Sequence, residues 1–181
     1  MPEIKCERDK YLWIYKDGRS YGNRNHGSGA YQLVLDIKPH SILDVGCGGG
    51  QFAEWANRHG IMAIGMDFAS GYGLMADVCN IPFDNNFFDV VTVFDVLEHL
   101  PVENLKKGLD EIARVAKRWI IISIGYGPSG RNTPKGFLKL HLISTRDKSW
   151  WTPILSKYGK LSYRGSKKWN DEPYIFCELD K

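Results

Sequence analysis

The sequence predicts an α/β protein built as a doubly wound, mainly parallel sheet with helices on both faces. Three observations predict it. Short apolar runs of strand length alternate with amphipathic segments of helical period. The runs at 88–97 and 119–124 are apolar almost throughout, as strands covered on both faces require. A further run at 42–45 passes straight into the glycine turn Gly46-Cys47-Gly48-Gly49-Gly50, with a helix beginning at Gln51. Gly46 and Gly48 lack the Cβ atoms that would hold the backbone away from a ligand, so the freed N–H groups are expected to face the strand's C-terminal edge, where open α/β sheets bind ligands. The 181 residues, 43% hydrophobic and 25% charged, suit a single domain over 1–181, and no linker or repeat divides it.

The elements follow in order. Residues 1–27 are polar, aromatic and turn-rich, with Tyr11, Trp13, Tyr15 and Tyr21. They read as a loop or short helix lying over the domain, and in functional terms as an N-terminal lid. Ser28 can cap a helix over about 29–37, which Pro39 ends. After the first strand and the glycine turn, the helix at 51–59 carries Phe52, Trp55 and Ala56 at i, i+3, i+4 and stops at Gly60. The second strand is 62–68 and ends on Asp67; a short third strand is expected at 74–78, with Asp77 near its end. Pro82 and Asp84-Asn85-Asn86 form a turn before the buried strand at 88–97. Pro101 opens a helix to about Lys117 with a stripe of Leu105, Leu109, Ile112, Val115 and Ala116. The strand at 119–124 precedes a long irregular stretch, 125–150, rich in Gly, Pro and Ser. A loop of that length in a compact domain points to substrate contact. A helix over 150–158, with Pro153 in its first turn, leads to strands at 161–164 and 174–179. No helix separates those two strands, so they pair antiparallel.

Composition narrows the function classes. The net charge of +3 includes no dense basic run that would argue for nucleic acid. The longest apolar stretch, 119–124, is too short to span a bilayer, and the N-terminus lacks a signal-peptide core. Cys6, Cys47, Cys79 and Cys177 are scattered without a C-x-x-C pair, which fits reduced thiols in a cytoplasmic protein and no metal site.

Three acidic residues stand at successive strand ends beside the glycine turn. Asp44 precedes the glycines. Asp67 lies about twenty residues on, where an acid can accept from both ribose hydroxyls. Asp77 is placed to reach a base. Together they indicate a nucleoside site. The glycine spacing does not exclude a dinucleotide, because a fingerprint starting at Gly48 would put its third position on the tolerated Ala53. Asp44 argues against one, since a carboxylate repels a pyrophosphate and suits a ligand bearing an ammonium and a sulfonium.

The stretch Asp44-Val45-Gly46-Cys47-Gly48-Gly49-Gly50 resembles motif I of the class I S-adenosylmethionine-dependent methyltransferases. Gly65-Met66-Asp67-Phe68, the stretch from Ala76 to Phe83 and that from Phe88 to Leu100 match in order and spacing, most closely the methyltransferase-11-like branch. The resemblance covers roughly 41–124. It implies a Rossmann-like, seven-stranded sheet with an antiparallel last strand, and S-adenosyl-L-methionine as cofactor with S-adenosyl-L-homocysteine as product. It also implies roles: Gly46, Cys47 and Gly48 approach the methionine part, and Asp44 helps hold its amino group. Asp67 binds the ribose hydroxyls and Phe68 packs on adenine. Asp77 and the Val78 N–H reach the adenine edge, and Phe94 lines the methyl region. Glu98-His99 reads as structural, ordering the turn before Pro101.

An oxygen acceptor usually needs a base near its proton. The candidates are His26, His141, Tyr21 and Asp95; His26 just precedes a helix expected to pack near the cofactor edge, and His141 lies in the long loop after the fifth strand. No Asn/Asp-Pro-Pro-Tyr/Phe follows the fourth strand and no Pro-Cys pair occurs, so the resemblance to nucleic-acid base methyltransferases is poor there. The expectation is a small-molecule O or N acceptor. The alternatives are a nucleic acid or other macromolecule, met by the cluster Lys157, Lys160, Arg164, Lys167 and Lys168, and a non-catalytic cofactor-binding partner subunit.

Overall fold

The computed structural model describes residues 7–16, 26–126, 143, 147–164 and 174–181. Among them, seven strands form one sheet in the order β3-β2-β1-β4-β5-β7-β6. The strands are β1 (Ser41–Val45), β2 (Met62–Asp67), β3 (Leu74–Met75), β4 (Phe88–Phe94), β5 (Ala116–Ser123), β6 (Gly159–Arg164) and β7 (Tyr174–Leu179). The helices are α1 (Glu7–Lys16), α2 (Tyr31–Ile37), α3 (Gln51–Arg58), α4 (Val102–Val115) and α5 (Lys148–Leu155). β1 pairs parallel with β2 and β4, and β4 parallel with β5. β7 runs antiparallel to both β5 and β6, as expected.

The order reverses beside β1, so the C-terminal ends of β1 and β4 flank the switch point where doubly wound sheets open a crevice. Two apolar layers fix the sheet. On one face Leu43, Val91, Ile120 and Ile122 meet Leu105, Leu109 and Ile112 of α4 and the fully buried Trp151 of α5. On the other, Ile42, Val90 and Ile121 meet Val34 of α2 and Phe52 and Ala56 of α3.

Several boundaries differ from the sequence reading for local physical reasons. Ser28 is not a cap; residues 28–30 form a 3₁₀ turn and neither it nor α2 has a side-chain cap. The third strand stops at Met75, because the Asp77 carboxylate accepts the Cys79 N–H at 2.8 Å and the Asp77 carbonyl accepts the Asn80 N–H at 2.9 Å, curling the chain into a turn. The fourth strand stops at Phe94, where Asp95 enters the left-handed region at φ 54°. α4 passes directly into β5, three residues earlier than expected. Lys117 and Arg118 are tolerated there because Lys117 reaches Asp89, and Arg118 reaches Glu178 while covering the Trp119 ring. α5 starts at Lys148, capped by the Asp147 side chain on the Trp150 N–H, which puts Pro153 in its second turn. Tyr21 and His141 lie outside the described residues, as do most of the expected loop at 125–150 and Lys167 and Lys168.

Candidate functional site

The glycine turn after β1 spends most of its amide protons inside the protein. The N–H groups of Gly46 and Cys47 both donate to the Met66 carbonyl, at 2.7 and 3.0 Å, and the Gly50 N–H donates to the Cys47 carbonyl at 2.8 Å. The Gly48 N–H donates to Asp67 Oδ2 at 3.1 Å. The N–H groups of Gly46, Cys47, Gly48 and Gly50 are thus not free toward a ligand, which corrects the expectation for those four. A turn with most of its donors used, and with carboxylates as walls, suits a cation better than a pyrophosphate. Gly46 is required at its place: its φ is 70°, and a Cβ there would stand 2.2 Å from Val96 Cγ2. At Gly50, φ 78°, the Tyr72 ring occupies the space a Cβ would need.

Asp44 and Asp67 lie beneath that turn, both buried. Asp44 accepts one side-chain hydrogen bond, from the Thr92 hydroxyl of β4 at 2.8 Å. Burial pushes its carboxyl up to about 7; the Thr92 hydroxyl opposes this and the nearby Asp67 charge adds to it. Neither carboxylate meets a Lys, Arg or His among the described residues. Cys47 sits against them with its thiol pushed far up, by burial first and then by the Asp44 and Asp67 charges, so it is no nucleophile.

Asp67 ends β2 and is nearly saturated with donors. Oδ1 accepts the N–H groups of Ala69 and Ser70 at 2.9 and 2.8 Å, and Oδ2 accepts from Gly48 and from the Tyr15 hydroxyl at 3.3 Å. Tyr15 comes from α1, which lies across this end of the sheet. Tyr11 packs on the Phe68 ring at 5.2 Å between centroids and meets His99 Nδ1 at 2.6 Å through its hydroxyl. Arg8 donates to the Phe68 carbonyl at 3.1 Å. Asp77 is exposed and held in its own turn, while Val78 is buried. The buried Glu98 accepts the Gly125 N–H at 2.5 Å, and its carbonyl accepts from Ile143. Both contacts fit the structural reading of that turn.

At the end of β4, Phe94 meets Phe52 and Tyr174 edge-on at 4.9 and 5.6 Å. Here the structure joins two residues that are far apart in sequence. His26 Nδ1 lies 2.5 Å from Asp95 Oδ2. The other Asp95 oxygen accepts from the Ser123 hydroxyl at 2.9 Å. Gly27 makes the approach feasible, since a Cβ there would stand 2.5 Å from both Phe52 and Phe94. The buried Tyr174 hydroxyl donates to the His26 carbonyl at 2.5 Å. The imidazole is 43% exposed, so one edge faces outward. Sequence reasoning placed His26 near the cofactor edge and weighed Asp95 as a base, but missed Ser123, Thr92 and Tyr174. Thr92 in an otherwise apolar strand, and Ser123 closing one, were the available signals.

Residues 43–121 match the family model described as a methyltransferase domain. The tRNA (carboxymethyluridine(34)-5-O)-methyltransferase of Arabidopsis thaliana is 29% identical over 157 residues, covering 76% of this chain and 35% of that protein. The ubiquinone biosynthesis O-methyltransferase of Coxiella burnetii is 29% identical over 83 residues, covering 37% of this chain and 36% of that protein. The chain thus spans little more than a third of these relatives. Among solved structures, the 1,6-didemethyltoxoflavin-N1-methyltransferase of Burkholderia thailandensis, crystallised with S-adenosylhomocysteine, superposes with a TM-score of 0.71. It covers 100% of this chain and 93% of that one at 13% identity, a likeness of fold.

Proposed function

We propose that this protein, whose residues 43–121 match the methyltransferase-domain model and whose fold is that of the class I methyltransferases, transfers a methyl group from S-adenosyl-L-methionine to an oxygen or nitrogen of a small acceptor. The observation that carries the cofactor reading is the pair of buried carboxylates, Asp44 and Asp67, under a turn that no Lys, Arg or His reaches among the described residues. Asp44 would hold an ammonium, and Asp67 would exchange the Tyr15 hydroxyl for those of a ribose. Phe68 would pack on the adenine, with Asp77 and Val78 at its edge. Gly46, Cys47 and Gly48 would border the methionine portion and Phe94 the methyl region. α1 is the lid over this site, already seated on Phe68 and Asp67.

S-adenosylmethionine supplies a methyl on a sulfonium, the C–S bonding pair leaving with the sulfur as S-adenosylhomocysteine. The acceptor's lone pair forms the new bond, and its proton passes to His26, whose charge as imidazolium then faces Asp95. The domain contributes alignment and the exclusion of water around Phe94. Tyr21 and His141 remain further candidates for acceptor contact.

The test is methyl transfer from labelled S-adenosylmethionine to a panel of phenols, catechols and amines. Transfer by the wild type, and a loss of about 10²-fold or more in His26→Ala with S-adenosylhomocysteine affinity unchanged, is expected. Equal turnover in both proteins would remove His26 from the reaction. A second acceptor class, structured RNA, is favoured by one observation, the alignment of the tRNA methyltransferase over 76% of this chain. Binding to tRNA that weakens steeply with salt would favour it.

A further inference from the structure

We propose that Ser123 and Asp95 are positioning residues for His26, fixing its ring as the Nδ1–H form so that the lone pair stands on Nε2. This rests on the reading of His26 as the proton acceptor and extends it to two residues that touch no substrate. The three side chains form one line: Ser123 Oγ to Asp95 Oδ1 at 2.9 Å, and Asp95 Oδ2 to His26 Nδ1 at 2.5 Å. A carboxylate only accepts, so the nitrogen facing it must carry the proton, and the other nitrogen is then the basic one.

The frame around this line is rigid. Ser123 closes β5 and is buried, and it grips Asp95 twice, since its carbonyl also accepts the Asp95 N–H at 3.0 Å. Those two bonds hold Asp95 at φ 54°, a left-handed conformation uncommon outside glycine and most readily tolerated by Asp and Asn. The carboxylate is thereby turned back toward His26 at the point where β4 ends. On the far side, Tyr174 of β7 fixes the His26 carbonyl and Gly27 lies against Phe52 and Phe94. Ring and backbone of His26 are therefore set by three different strands. A residue serving only as a strand-end cap would not need its partner aligned with an outward-facing imidazole. Among the described residues no group partners Nε2.

The test reads the ring nitrogens directly and needs no acceptor. The full chain is labelled with ¹⁵N-histidine, and long-range ¹H–¹⁵N correlations are recorded at pH 8, with His26 assigned from His26→Asn. The wild type should show a protonated Nδ1 and a lone pair on Nε2. Asp95→Asn, which keeps the left-handed turn and can offer an amide proton, should reverse the two. Ser123→Ala should lower the ratio of Nδ1–H to Nε2–H by about three- to tenfold, the loss of one hydrogen bond. Ser123→Cys, similar in volume but a weaker donor, should fall between. Because the Ser123 hydroxyl donates to the side-chain oxygen and so keeps the introduced amide N–H toward His26, adding Ser123→Ala to Asp95→Asn should weaken the reversal. A wild-type ratio in both Ser123 variants, or a wild type with the proton on Nε2, would overturn the proposal. If the ratios behave as expected while His26→Ala keeps full turnover, the positioning stands and the base reading alone falls.

Discussion

If Asp44 holds the cofactor's ammonium as proposed, cofactor affinity depends on pH in a direction that can be worked out. The Asp44 carboxyl titrates near 7 in the free protein, mainly because it is buried. A ligand ammonium favours the charged form, so binding requires the carboxylate. About half the protein carries it at pH 7 and about 1% at pH 5. A ligand α-amino group, with a pKa of about 8, stays almost fully charged across that interval. Affinity for S-adenosylhomocysteine should therefore fall about fiftyfold from pH 7 to pH 5. At pH 6, binding should release close to one proton, seen as a calorimetric enthalpy that changes with the buffer's ionisation heat. The same shift acts on folding with the opposite preference. Between about pH 4 and pH 7 the folded, ligand-free protein binds more protons than the unfolded chain. The contribution of Asp44 to stability is thus fullest below pH 4 and is lost as pH rises through 7, by on the order of 4 kcal/mol. Asp44→Asn should abolish both effects. It should bind about ten- to a hundredfold more weakly than wild type at pH 8 and melt higher there when ligand-free. An affinity that changes less than threefold between pH 7 and 5, or an Asn variant with the wild-type profile, would refute the reasoning.

Two further outcomes follow from the same site. Gly46→Ala forces a Cβ against Val96 at a positive φ and should cost roughly 2–4 kcal/mol in chemical denaturation; adding Val96→Ala should recover the steric part and leave the backbone part. Tyr15→Phe removes the hydroxyl that, on the proposed reading, a ribose displaces from Asp67, so calorimetry should show affinity for S-adenosylhomocysteine raised about two- to fivefold, and an unchanged or weaker affinity would contradict the proposed role of α1 as a lid.

The parts of the fold legible in the sequence are those where apolar pattern and turn chemistry act locally. The 42–45 strand, the glycine turn, the helix from Gln51 and the 174–179 strand stand within a residue of their expected places because burial on both faces and glycine punctuation specify them. The third strand was overextended because apolar content alone could not show the Asp77 side chain drawing Cys79 into a turn. β5 began earlier than expected because Lys117 and Arg118 find their counter-ions on β4 and β7, partners that only the tertiary fold supplies. The site divides in the same way. Asp44 and Asp67 announce themselves by position relative to the glycines. The link from His26 to Asp95 and Ser123 depends on a left-handed residue and on two neighbouring strand ends, and nothing in local sequence spacing encodes it. The amide protons of Gly46, Cys47 and Gly48 were misjudged for a related reason: their acceptors, the Met66 carbonyl and the Asp67 carboxylate, belong to the adjacent strand.

The most direct measurement is calorimetric titration of the full chain with S-adenosylmethionine, S-adenosylhomocysteine and NAD, repeated on Asp67→Ala. The account predicts binding of the first two, none of NAD, and loss of binding in the variant. Tight NAD binding, or S-adenosylmethionine affinity untouched by Asp67→Ala, would contradict it.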